Sequence, residues 1–133
     1  MLKQGFKKEE RLYHKKTIEE LFSNGKNIKS SSFLLLYSTT PFESHFPARI
    51  LISAPKKKFK RAVDRNLVKR RIKEAYRKNK NELYEFLTSH HLQLNLILVY
   101  LSENIETYSE IEHKIKELIT RLVEQLKEKY HDK

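Results

Sequence analysis

The 133-residue sequence predicts an α/β (α+β) two-layer sandwich, one sheet covered by helices, in the order helix, strands, helix, strand, helix. Three observations carry this prediction. Short apolar runs of strand length are bounded by Ser, Thr and Pro. Longer segments repeat their apolar residues at helical spacing. The two kinds alternate along the chain, and a single sheet with helices packed on it buries such faces economically.

Thr17-Ile18-Glu19-Glu20 fits a capping box with Thr17 as N-cap, Ile18, Leu21 and Phe22 follow at helical spacing, and Gly25 supplies a stop. Ser32–Ser38 and Arg49–Ser53 read as strands, the second ended by Pro55, with Thr39–Phe46 as the connecting loop. Ala62–Lys78 reads as the main helix, with Val68, Ile72, Ala75 and Tyr76 on one face. Arg65, Asn66, Lys69, Arg70, Lys73 and Arg77 fill the neighbouring face, and Asp64 stands where it would cap the helix. Asn81–Ser89 adds a further helical turn or two. Leu94–Leu101 is apolar enough for a central strand. A second capping box, Ser109 to Glu112, opens a last helix whose Ile111, Ile115, Leu118, Ile119, Leu122 and Leu126 trace one face.

The length matches one domain, on the usual scale of ~100–200 residues per domain. There is no Cys, which excludes a disulfide framework, a thiolate nucleophile and Cys-ligated zinc. No apolar run is long enough to span a bilayer, and Met1–Lys8 lacks the apolar stretch of a secretory signal, so a cytoplasmic location is expected.

The formal net charge of +11 is not spread evenly. Lys56–Lys80 holds 13 basic side chains against Asp64 and Glu74 alone, while the flanking segments cancel at +4 and −4. A focused positive patch concentrates polyanions, and phosphate neutralisation is its commonest use.

Catalytic chemistry is poorly supplied. His14, His45, His90, His91, His113 and His131 are scattered without metal-ligand spacing, and no nucleophile elbow or phosphate-cradling loop exists, since the chain offers only Gly5 and Gly25. No protein-bound cofactor or metal is expected. Binding chemistry is better supplied: Arg61, Arg65, Arg70 and Arg77 interleave with Lys69 and Lys73 over about four helical turns, combining planar forks with mobile point charges. Asn66 can donate and accept, which suits a base edge or a 2′-hydroxyl, and equally a local backbone hydrogen bond. Phe33 and Tyr37 share one strand face, and Phe22 of the first helix is placed to meet that neighbourhood, as core or as stacking platforms.

Lys58–Arg77, with its ordered R-N-x-x-K-R-x-x-K-E-x-x-R over Arg65, Asn66, Lys69, Arg70, Lys73, Glu74 and Arg77, resembles the signature of the bacterial ribonuclease P protein component. Arg11-Leu12, Gly25 and Phe33 agree with that family's opening segment, and the resemblance covers roughly residues 9–126. Leu67 and Lys73 depart from the family, which usually has Arg at the first position and often at the second. The resemblance implies a ribosomal-protein-S5-domain-2-like fold with a left-handed β-α-β crossover. It also implies a subunit that joins ribonuclease P RNA and assists removal of the 5′ leader from precursor tRNA, hydrolysis being carried by the RNA and its Mg²⁺. By the same resemblance the basic helix docks on the RNA subunit, and Ile18, Phe22, Leu36 and Phe33 neighbour the leader cleft. Ile18 and Leu36 replace aromatic residues found in other members.

The residues alone also fit a ribosomal or RNA-chaperone module. A duplex-DNA binder lacks a dimerisation signal, and a membrane-surface helix would need the apolar face that the core requires; neither DNA nor a membrane is expected as partner.

Overall fold

The computed structural model describes residues 6–130. Its elements are α1 (Lys15–Asn24), β1 (Lys26–Lys29), β2 (Phe33–Ser38), β3 (Ala48–Ser53), α2 (Ala62–Asn79), α3 (Asn81–Ser89), β4 (Leu94–Tyr100) and α4 (Tyr108–Lys129), preceded by a 3-10 turn at Lys8–Glu10. The four strands form one sheet in the order β1-β2-β4-β3. β2 runs antiparallel to both neighbours, and β3 runs parallel to β4, so α2 and α3 lie on the crossover that joins them.

Strand alternation divides the apolar side chains between two faces. Phe33, Leu35 and Tyr37 of β2, with Leu94, Leu96, Leu98 and Tyr100 of β4, pack in one core with the apolar stripes of α2, α3 and α4. Leu36 and Ile97 face the other way and meet Leu12 and Leu21, with Ile18, Leu34, Leu51 and Val99 half-buried around them. The predicted stripes hold: Val68, Ile72 and Ala75 of α2 are fully buried, as is Ile111 of α4. Each such aliphatic side chain of Val or Ile size contributes about 1.5–3 kcal/mol of transfer free energy.

Several local readings are corrected. Ile18 N–H already bonds His14 O at 3.0 Å, so α1 starts at Lys15 with His14 as N-cap, and Thr17 lies inside the first turns. The capping box of α4 is set by Thr107 rather than Ser109: Thr107 Oγ1 accepts from Glu110 N–H at 3.2 Å, and Thr107 N–H donates to Glu110 Oε1 at 2.9 Å. Arg61 is the N-cap of α2, and Asp64 sits within the first turn, where its charge suits the helix dipole without a side-chain cap bond. Residues 81–89 form a separate helix rather than a tail of α2. β1 was not expected, because only Ile28 of Lys-Asn-Ile-Lys points into the core.

Gly25 does end α1, donating its N–H to Leu21 O at 2.9 Å. Its φ of −66° is open to any residue, so the requirement is space: a Cβ there would lie 2.5 Å from Leu21 O.

Candidate nucleic-acid interface

The basic face of α2 is oriented by the packing of its apolar face. With Val68, Ile72, Ala75 and Tyr76 turned to the sheet, Asn66, Lys69 and Arg70 stand exposed and Lys73 is half-buried. Ahead of the helix, Lys56, Lys57, Lys58, Lys60 and Arg61 are exposed on a loop pinned at Phe59, whose buried ring stacks 5.9 Å from Tyr100.

Two of the predicted RNA-binding arginines have work inside the protein. Arg65 Nη1 donates to Phe59 O at 2.7 Å and to Lys60 O at 3.1 Å, tying the basic loop to the helix. Arg77 lays its fork on Glu74, with Nε to Oε1 and Nη2 to Oε2 both at 2.7 Å. These hydrogen bonds hold the Glu74 carboxyl below, and the Arg77 guanidinium above, their ordinary values. Arg77 therefore closes the end of the cationic stripe as half of an ion pair. Arg71, on the flank, donates to Glu106 O at 2.6 Å and fixes α2 to the loop before α4.

Facing α2 is a wall that the sequence did not reveal. Leu12 N–H bonds Ile50 O at 2.9 Å, and Arg11 bridges Ile50 in parallel, so residues 11 and 12 run along the outer edge of β3. Between this segment and α2 opens a cleft of about 880 Å³, lined by Phe6, Lys8, Arg11 and Tyr13 on one side, Leu51 and Ile52 on the floor, and Asn66, Lys69, Arg70 and Lys73 on the other. The only signal in the sequence was Arg11-Leu12. Lys8 and Tyr13 belong to no periodic pattern.

The residues expected near a single strand divide. Phe22 is 57% exposed on α1 and free to stack, and Ile18 is half-buried above Leu21. Leu36 lies on the α1 side but is covered. Phe33 takes the core role and not the leader-side one: it points to the opposite face, is 0% exposed and packs edge-on against Tyr100 at 5.4 Å. The α1 side carries an unforeseen aromatic, Tyr13, 64% exposed and stacked on His14 at 4.6 Å. Beneath them the buried Arg49 donates to Asn95 Oδ1 at 3.0 Å, approaches His14 Nδ1 at 3.0 Å and packs 4.0 Å from the Phe42 ring centre.

The ribonuclease P family profile matches residues 6–123, nearly all of the described chain. The chain belongs to the ribonuclease P protein family. It is 30% identical to the ribonuclease P protein component of Porphyromonas gingivalis over 118 residues, covering 89% of this chain and 86% of that one. It is 34% identical to the component of Chlorobaculum tepidum over 127 residues, covering 86% and 82%. The ribonuclease P protein of Thermotoga maritima has the same fold, with a TM-score of 0.65 at 20% identity over 84% of this chain and 96% of that one. The Staphylococcus aureus protein gives a TM-score of 0.64 at 22% identity, covering 85% and 94%. Membership makes the chain an accessory protein subunit of the ribonucleoprotein endoribonuclease that processes tRNA 5′ ends. Among the described residues no helix is long and apolar enough to cross a membrane.

Proposed function

We propose that the α2 face of Asn66, Lys69, Arg70 and Lys73, continued by Arg61 and Arg65, docks on ribonuclease P RNA, and that the α1 side of the sheet holds the leader of precursor tRNA through Phe22 and Ile18. The observation that carries this reading is the exposure of Asn66, Lys69 and Arg70 along a cleft whose floor is apolar. Arg and Lys there neutralise phosphates, and a floor of Leu51 and Ile52 accepts unstacked bases. Arg77 joins the contact by exchanging Glu74 for a phosphate, since both are matched by the same planar fork.

Among the described residues no three His, Asp or Glu side chains converge, and a cleft walled by cations repels a divalent ion, which supports assigning the metal to the RNA. Mg²⁺ belongs with the RNA, where it supplies activated water and charge neutralisation for hydrolysis. The protein's part is to bind and orient. Its place is the cytoplasm, in one RNA-binding domain, with neither DNA nor membrane as partner.

Reconstitution tests the reading. The protein alone should leave precursor tRNA intact, and with its cognate ribonuclease P RNA it should raise cleavage at low Mg²⁺. Cleavage by RNA-free protein, abolished by a point mutation within it, would overturn the assignment.

A further inference from the structure

We infer that Glu10 is a positioning residue for RNA binding: with Lys80 and Tyr84 it fixes residues 7–13 as the second wall of the cleft, so that Lys8 and Arg11 meet the same run of phosphates as Lys69 and Arg70. The inference rests on the reading above that the cleft takes RNA.

Glu10 and Lys80 are 0% and 1% exposed. Glu10 Oε2 accepts from Lys80 Nζ at 2.5 Å and from Tyr84 OH at 2.5 Å, and its Oε1 accepts from Lys7 N–H at 2.8 Å. Taking two such charges out of water costs most of what their attraction returns, so a buried pair is a poor source of stability. What it specifies is geometry. Glu10 and Lys80 are 70 residues apart, and Lys80 sits at the joint between α2 and α3, so the contact joins the wall to the helix pair behind it. Phe6 completes the joint, edge-on to Tyr76 at 6.1 Å and 5.3 Å from Lys73 Nζ.

Such a tie is needed because the two walls repel. Lys8 and Arg11 face Lys69, Arg70 and Lys73 across one cleft, and before RNA arrives no phosphate offsets that repulsion. The buried carboxylate holds the wall closed against it, and a groove already formed spares RNA binding the ordering cost of the segment.

The test uses full-length protein with its cognate ribonuclease P RNA and measures affinity across a salt series. Glu10→Ala should weaken binding about tenfold and flatten the log K against log salt slope by roughly 1.5 to 2 units, the share of two phosphate contacts. The Lys8→Ala/Arg11→Ala double variant should show the same loss, and adding Glu10→Ala to it should change little. Hydrogen exchange supplies a local reading: in Glu10→Ala, which also strands the Lys80 charge, the Leu12 amide should gain exchange rate beyond the general loss of protection read at the amides of β4. Should Glu10→Ala fail to fold, Glu10→Gln/Lys80→Met removes both charges and keeps an acceptor for Tyr84. It should restore both affinity and slope if the wall is held in place.

Loss of affinity at an unchanged slope, or a Glu10→Ala effect fully additive with loss of Lys8 and Arg11, would make the cluster a structural contact only. If Lys8→Ala/Arg11→Ala binds RNA normally while Lys69→Ala does not, the positioning role fails and the RNA face on α2 stands. If neither matters, the RNA reading itself fails.

Discussion

Phe22 and Phe33 lie on opposite sides of one sheet: Phe22 is exposed on α1, whereas Phe33 is closed in the core beneath the helices. The pair separates a binding role from a packing role. Phe33→Leu should lower stability by about 1–2 kcal/mol and leave the binding difference between precursor and mature tRNA untouched. Phe22→Leu should leave the melting temperature nearly unchanged and weaken precursor tRNA by about 1–3 kcal/mol, the worth of one stacked base. Melting curves and binding to the two tRNA forms check both, and equal losses for precursor and mature tRNA in Phe22→Leu would remove α1 from the leader site.

Lys69 and Arg70 are exposed on the cleft, whereas Arg65 carries the carbonyls of Phe59 and Lys60. Lys69→Ala and Arg70→Ala should each reduce the salt slope of RNA binding by about one unit with unchanged melting. Arg65→Ala should lose affinity and also about 1.5–3 kcal/mol of stability, since it abandons charge-assisted bonds to backbone. An Arg65→Ala protein with a native melting temperature would contradict the anchoring role.

The Glu74 carboxylate occupies the Arg77 fork. Glu74→Gln keeps the shape, removes the charge and weakens the carboxylate's competition with phosphate for the guanidinium. RNA affinity should rise, with a salt slope steeper by up to about one unit. Unchanged affinity would mean that Arg77 lies beyond the RNA contact.

Three carboxyls are held below the ordinary value of 4.5: Glu112 chiefly by its hydrogen bond from Asn79, Glu110 by the Thr107 backbone N–H, and Glu74 by Arg77. A lowered pKa in the folded state means that the unfolded chain takes up protons first as pH falls. Their contribution is therefore whole above pH 4.5 and fades as the pH drops through the depressed values. Denaturant unfolding from pH 7 to 3 should show stability falling in that window, and less steeply in Glu112→Gln. Thr107→Ala, which removes the N-cap of α4, should cost about 1 kcal/mol at pH 7.

Elements with strong periodicity were readable from residue order: the α2 and α4 stripes and the runs of β2, β3 and β4 stand where spacing puts them. The basic face of α2 followed, because a helix that commits Val68, Ile72, Ala75 and Tyr76 to the core leaves little choice for Lys69 and Arg70. Caps moved by a few residues because Thr107 and Ser109 offer nearly the same pattern, and backbone bonding chose between them. β1 escaped because a four-residue strand with one inward side chain has no period to detect. For Phe33 residue order leaves core and stacking both open, because alternation fixes which residues share a face but not which face the helices cover; its burial selects the core. The second wall of the cleft depends on a contact between Glu10 and Lys80, and no local pattern announces a pairing across 70 residues.

The segment along β3 has a consequence for the free chain. β1 and β3 are the outer strands, and an open strand edge invites pairing with another chain and the growth of aggregates. β1 is blunted by its four-residue length and by exposed Lys26 and Lys29. β3 has six residues and an apolar middle, and its guard is the stretch at Arg11 and Leu12 that bonds Ile50. Clipping the chain after Leu12 would uncover that edge, and the trimmed protein should come out of solution as β-rich assemblies before it meets any RNA.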